Sequence, residues 1–322
     1  MSERSRTACR GYLFAAPATV YLAVFSLLPV AVAGYLSLHR WHLLKPDRPF
    51  VGLGNYAHLL RDPLFRNAIY NTIIYSAATV PLGVITALLV AMLVARPLRG
   101  VGFFRVLYYI PSVCSQVALS MVFIWIMAPE VGLINYCFGR LNEVLAATGL
   151  AALLRQTATL FGVSWSGQID TMTDYLHRPG WAMAALVALG LWIGLGPRMI
   201  IFVAGLQNIP QELYEAAEID GCSRWQKFRY VTIPQLAPTI LFVAVTTTIA
   251  AFQLFTPVYV ITKGGPQRTT DVVSYHIYRE AWQKFEVGMA SAQSYILFAM
   301  ILVVAALQLW IMRRGLRQEV TG

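Results

Sequence analysis

Six apolar runs, each about 25 residues long, dominate this sequence. They cover residues 12–38, 67–95, 101–128, 181–206, 235–262 and 288–312. An α-helix rises 1.5 Å per residue, and the hydrocarbon core of a bilayer is about 30 Å thick, so about 20 apolar residues cross it. In lipid the backbone has no water to bond to, and a helix satisfies its own N–H and C=O groups. The runs therefore predict an all-α, polytopic membrane protein with six transmembrane helices, forming a single domain over residues 1–322. The first run is nearly twice as long as the apolar region of a cleaved signal peptide, about 7–15 residues, so it reads as a helix that stays. Pro17 and Pro29 are expected to bend it, and Pro111 to kink the third helix.

Composition agrees. The chain is 57% hydrophobic and 12% charged, whereas soluble domains carry roughly 25% charged residues. A net charge of +10 over 322 residues is compatible with nucleic-acid binding. The basic residues, however, stand at the ends of apolar runs, as membrane topology requires, and no nucleic-acid partner is expected. Cys9, Cys114, Cys137 and Cys222 are far apart and show neither CxxC nor Cys/His spacing, so no disulfide framework or metal site is predicted. His39, His42, His58, His177 and His276 are dispersed in what read as external loops, which argues against a membrane-embedded enzyme.

Charge also orients the chain. Arg4, Arg6, Arg10, Arg96, Arg99, Arg105, Arg224, Lys227, Arg229, Arg313, Arg314 and Arg317 fall on one side. The other side has as many basic residues, on loops about twice as long in total. Density near the helix ends therefore favours cytoplasmic termini and a multi-pass protein of the plasma or inner membrane. Residues 129–180 form the longest non-spanning stretch and read as an extended external loop. There Leu141, Val144, Leu145, Leu153 and Leu154 recur at helical spacing around Arg140, Glu143 and Arg155, as in an amphipathic helix at the membrane surface or a packed loop cap.

The spans contain no interior Asp or Glu, and Arg198 is the one basic residue well inside them, read as snorkelling to the interface near the end of the fourth helix. Proton- or voltage-driven carriers need ionisable groups inside the membrane. No GxxxxGK[ST] loop is present either, so the chain lacks a P-loop for ATP. Energy for transport must then come from a partner.

The place to receive it is the polar stretch 208–238, NIPQELYEAAEIDGCSRWQKFRYVTIPQLAP. Pro210 suits a first helical position, with Glu212 and Glu215 in or near the first turn. Gly221 can take the left-handed conformation that ends a helix. Ser223 and Gln226 have capping-box spacing for a second helix. Leu213 and Ala217 share one face of the first, with Ala216 beside it.

Glu215-Ala216-Ala217, Asp220-Gly221, Phe228, Ile233-Pro234 and Pro238 resemble the EAA signature of ABC importer permeases. Cys222 departs from it, standing where that family usually has Ala. Two other segments resemble permeases of the maltose and glycerol-3-phosphate type. One comprises Ile261-Thr262-Lys263-Gly264-Gly265-Pro266 with Tyr278, Gly288 and Ala290-Ser291-Ala292; the other comprises Gly52-Leu53-Gly54-Asn55-Tyr56 with Asp62-Pro63 and Phe65. Residues 129–180 are longer than in that family.

The resemblance implies a coupling helix in a cytoplasmic loop over 208–234. Glu215, Ala216, Ala217, Asp220 and Gly221 would couple to an ATPase. It further implies a second, homologous permease subunit, two ATPase copies that hold ATP and Mg, an extracytoplasmic binding protein and a carbohydrate, with no catalysis or cofactor in this chain. Candidate pathway residues are Gln116, Trp192, Gly194, Thr247, Ala251, Gln253 and Leu254. Where the maltose type has amides, this chain has Ala251 and Leu254. Because the spans offer almost no fixed cation, the expectation leans to a neutral saccharide. The alternative is an ATP-independent channel or facilitator for a small polar solute.

Overall fold

The computed structural model describes residues 14–95, 100–148, 176, 178 and 180–321, the stretch 313–321 as backbone. Cys9, His177, the basic residues before position 14, the Arg96–Arg99 turn and the second half of the amphipathic pattern in 129–180 lie outside the described residues. Helices joined by turns and loops make up the described residues, with two isolated β-bridges, His39 to Phe50 and His42 to Glu286. Among the described residues, five helices are long and apolar enough to cross a membrane, and a bent pair makes six if it counts as one span.

These helices are α1 (Phe14–Ser37), α3 (Pro63–Val94), the pair α4 (Val101–Val113) and α5 (Gln116–Ile126), α7 (Trp181–Gln207), α9 (Arg224–Phe252) and α11 (Val287–Thr321), of which Val287–Met312 is the spanning part. Shorter helices are α2 (Gly54–Arg61), α6 (Leu133–Ala147), α8 (Gln211–Ile219) and α10 (Val273–Tyr278). Large apolar side chains such as Phe14, Phe25, Leu93 and Val303 stand exposed on the spanning helices. That pattern is costly in water and normal against lipid tails.

Two helix ends differ from the sequence reading. The third run is not one kinked helix: α4 and α5 meet at 102°. Pro111 sits inside α4, and the chain breaks three residues later, where Cys114 and Ser115 are extended. The fifth run stops at Phe252 instead of continuing to residue 262. Gln253 caps it, and Pro257 precedes a new turn, Val258–Thr262. Both breaks lie inside uniformly apolar sequence, so hydropathy does not mark them.

The chain divides into two compact units. The first comprises Met1–Arg66 with His276–Met300. Here the Asn55 amide donates to the carbonyls of Ser37 (2.7 Å) and His39 (2.9 Å), and the Tyr56 hydroxyl donates to Ser37 Oγ (2.8 Å). Asn55 thus satisfies carbonyls at and just beyond the end of α1 that the helix cannot bond. The Tyr295 hydroxyl donates to Val30 O at 2.7 Å, with Gly34 leaving room for its ring. His276, expected on a loop, is buried on α10 and approaches Glu280, which accepts from Lys284 Nζ at 2.6 Å.

The second unit comprises Asn67–Tyr275 with Ile301–Gly322. Ala87, Ala91, Met199, Phe202, Leu236 and Val243 form its main core, where α3, α7 and α9 meet. Gly196 lets α7 approach α4: a Cβ there would lie 2.6 Å from the Tyr108 carbonyl oxygen. Asn67 and Asn71 amides hold the Arg268 carbonyl at 2.8 Å each, and Thr72 Oγ1 accepts from Val273 N at 3.0 Å. The segment after the Gly264-Gly265-Pro266 turn is thereby tied to α3.

Candidate functional site

Two features of the second unit can carry a transport function: a cavity among its spanning helices, and the hairpin between α7 and α9.

The cavity measures about 450 Å³ and is lined from α3, α5, α7, α9 and the broken segment 253–257. Six of the seven pathway candidates meet there: Gln116, Gly194, Thr247, Ala251, Gln253 and Leu254. Gln116 opens α5 directly after the break, and Gln253 caps α9. Helix ends at membrane depth are tolerated where they face a cavity rather than lipid. Trp192 does not join them. Helical periodicity puts Gly190, Gly194 and Arg198 on the lining face of α7 and turns Trp192 away, leaving it partly exposed.

Sequence reasoning missed Tyr75 and Arg198, both of which line the cavity. Arg198 does not snorkel toward the hairpin end of α7. Helical side chains lean toward the N-terminus, and its Nη2 donates to Gly190 O at 3.0 Å, two turns back. The signal was present as spacing. Tyr75, Thr79 and Gly83 on α3, and Gly190, Gly194 and Arg198 on α7, each repeat every four residues and so form one face. A Cβ at Gly190 would overlap the Tyr75 hydroxyl, and one at Gly83 or Gly194 would overlap the Arg198 guanidinium. These glycines make room for two polar side chains, while Gly196 serves helix packing.

A larger cavity, about 860 Å³, lies in the first unit beside Asn55, Asp62, Glu280 and Lys284. Its principal polar groups already bond within the fold, Lys284 to Glu280 and Asn55 to two carbonyls. It is the weaker candidate for a solute.

The hairpin is built from local signals. Pro210 takes the cap position with extended ψ, one residue before the expected place, and α8 starts at Gln211. Gly221 has φ +76°. Cys222 N donates to Ala217 O (2.9 Å) and Gly221 N to Glu218 O (3.0 Å), the Schellman pattern that satisfies a helix C-terminus. Ser223 and Gln226 form the capping box, with Gln226 Oε1 accepting from Ser223 N at 2.7 Å and Ser223 Oγ from Gln226 N at 3.3 Å.

Two bonds then tie α8 to α9, Tyr214 Oη with Thr232 Oγ1 at 3.0 Å and Lys227 Nζ to Glu218 Oε1 at 2.5 Å. The Lys227 contact holds the Glu218 carboxyl below the usual carboxylate range. Of the coupling candidates, Ala217 is buried, whereas Glu215, Ala216, Asp220 and Gly221 are exposed. Small Ala217 packs inward; the opposite side of the nine-residue helix, about 13 Å long, is open. Two of the helices that line the cavity, α7 and α9, run into this hairpin.

Comparison with known proteins matches residues 61–316 to the family described as binding-protein-dependent transport system inner membrane component. The chain is 31% identical to the probable ABC transporter permease protein YurN of Bacillus subtilis, covering 94% of this chain and 96% of that one. It is 34% identical to the lactose transport system permease protein LacF of Rhizobium radiobacter, covering 94% of each. Its fold is similar to that in the crystal structure of a bacterial ABC transporter involved in the import of the acidic polysaccharide alginate, with a TM-score of 0.74, 22% identity, and 97% of this chain and 99% of that one covered. With a family match across most of its length and relatives aligned over 94% of it, the chain is a multi-pass inner membrane protein of the binding-protein-dependent transport system permease family.

Proposed function

We propose that this chain is one of two related permease subunits of an ATP-driven importer, and that it lines the path of a carbohydrate delivered by an extracytoplasmic binding protein. The observation that carries the reading is the continuity of α7 and α9 from the cavity into a braced hairpin with an exposed face. One of two ATPase copies, which hold ATP and Mg, grips that face through Glu215 and Ala216. Asp220 and Gly221 shape its end, and buried Ala217 seats it. Closure of the ATPases on ATP carries the hairpin with them. Because Tyr214 and Lys227 tie α8 to α9, the hairpin moves as a body and shifts α7 and α9 together, switching the side to which the cavity opens. This places the hairpin and both termini in the cytoplasm.

The substrate class follows from the cavity's lining and from the relatives. Gln116, Gln253 and Thr247 offer hydrogen-bonding groups among apolar walls, the mixture that orients a hydroxylated solute. The lactose permease relative supports a saccharide. The stretch 129–180 is assigned to the outer side, where α6 begins it.

The test is co-purification. The detergent-solubilised chain, expressed with its genomic neighbours, is expected to bring down a P-loop ATPase, and Ala216→Trp is expected to release it without reducing the amount of permease in the membrane. Wild-type ATPase recovery with Ala216→Trp would remove the hairpin from the interface. A facilitator, by contrast, would need no ATPase partner at all.

A further inference from the structure

Arg198 places a positive charge at the wall of the cavity, and among the described residues no acidic side chain lines that cavity to meet it. Its Nη2 has one bond, to Gly190 O at 3.0 Å. Its Nη1 is shielded from solvent and has no hydrogen-bond partner among the described residues. An unpaired cation in a membrane-spanning helix is expensive and is retained where it meets an ion, a relay or a substrate. The surroundings keep space for it: Gly83 and Gly194 lack the Cβ atoms that would displace the guanidinium. Thr247, whose hydroxyl is also buried without a partner, lines the same cavity.

Assuming that the chain is a carbohydrate permease subunit, we infer that its solute carries an acidic group, a carboxylate or a phosphate, and that Arg198 receives it in the cavity. A guanidinium presents parallel N–H groups that match a carboxylate or phosphate two at a time. Here Nη1 has no partner among the described residues, while Nη2 donates to Gly190 O. Uncharged neighbours then bind the hydroxyls, and Arg198 sets the preference for acid over neutral sugars. The neutral saccharide expected from the sequence follows from treating Arg198 as an interfacial residue, and the cavity geometry removes that premise.

The experiment uses the purified full-length chain in lipid nanodiscs and reads the concentration dependence of its thermal unfolding midpoint. Three probes are compared: trigalacturonate, glycerol phosphate and maltotriose. One or both acidic probes are expected to stabilise the chain, at concentrations at least tenfold below those at which maltotriose does. Which acidic probe is tighter separates a carboxylate solute from a phosphate one.

Arg198→Gln is expected to weaken acidic-probe binding roughly ten- to a hundredfold, far more than it alters maltotriose binding, and so to erase the acid preference. Arg198→Lys keeps the charge but loses the fork, and is expected to retain the acid preference with an affinity several-fold lower. Should Arg198→Gln fail to fold, the lysine variant carries the test. Equal or tighter binding of maltotriose, acidic-probe binding untouched in either variant, or no stabilisation by either acidic probe would overturn the inference. ATPase co-purification from the same cells reports on the permease reading separately. A chain that captures an ATPase yet prefers maltotriose keeps that reading and loses this one.

Discussion

Gly221 offers the sharpest test of how the hairpin is made. Its φ of +76° is a conformation that L-residues avoid, and a Cβ placed there meets nothing within 4 Å. Substitution by Ala therefore adds no steric clash with the rest of the fold. It adds only the local cost of the left-handed region, about 1–2 kcal/mol. That amount shifts the opening equilibrium of the turn by roughly 5- to 30-fold.

Hydrogen exchange reads this directly. The amides of Gly221 and Cys222 are held by Glu218 O and Ala217 O, so in Gly221→Ala they should exchange about 5- to 30-fold faster than in wild type. Gly221→Asn should recover most of the protection, because Asn tolerates the left-handed region. Distant amides, such as those in the α7 core around Phe202, should not change. If Ala and Asn protect equally, or if Ala exchanges like wild type, then backbone conformation is not what Gly221 supplies. The same turn ends α8, the helix proposed above to couple to the ATPase, so uptake should fall with Ala and return with Asn.

Three further outcomes follow from the geometry. Gly196→Ala puts a Cβ 2.6 Å from Tyr108 O and 2.7 Å from Tyr109 Cα, so α4 and α7 must separate; a loss of about 1–3 kcal/mol is expected, seen as a lower thermal midpoint in detergent. Asn55→Ala leaves the Ser37 and His39 carbonyls without their donor and should cost about 1–3 kcal/mol, whereas Asn55→Asp, which also lacks the donor amide, should do no better. Glu218 has a lowered folded pKa, so the contact with Lys227 contributes fully above the ordinary carboxylate value of about 4.3 and is lost as pH falls through the lower folded value; limited proteolysis of the hairpin should be flat from neutral pH down to about 5 and rise only in stronger acid, and Glu218→Gln should abolish that rise.

What could be read from sequence was local. Gly221, Ser223 and Gln226 announce their turn and cap within a few residues, because those interactions close within a few residues. Six long apolar runs announce membrane helices, because lipid imposes one length on all of them. The breaks after Val113 and Phe252 were invisible for the same reason: apolar side chains continue through them, and only the backbone changes.

The cavity is non-local in kind. Gln116, Gly194, Thr247 and Gln253 come from separate parts of the chain, and a family pattern could nominate them without showing that they meet. Trp192 failed to join them through angle alone, being two residues from Gly194 on a helix. Arg198 was misread through direction: its position in the run suggested the interface, but the N-terminal lean of helical side chains carries it inward to Gly190.

The central claim is that this subunit moves solute only when another polypeptide moves its hairpin. Solute entry into sealed proteoliposomes measures that most directly, with the chain reconstituted alone and then together with its co-purified permease and ATPase subunits. The account predicts no entry above empty vesicles for the chain alone, and entry dependent on ATP and binding protein for the assembly. Saturable, ATP-independent entry through the chain by itself would contradict it.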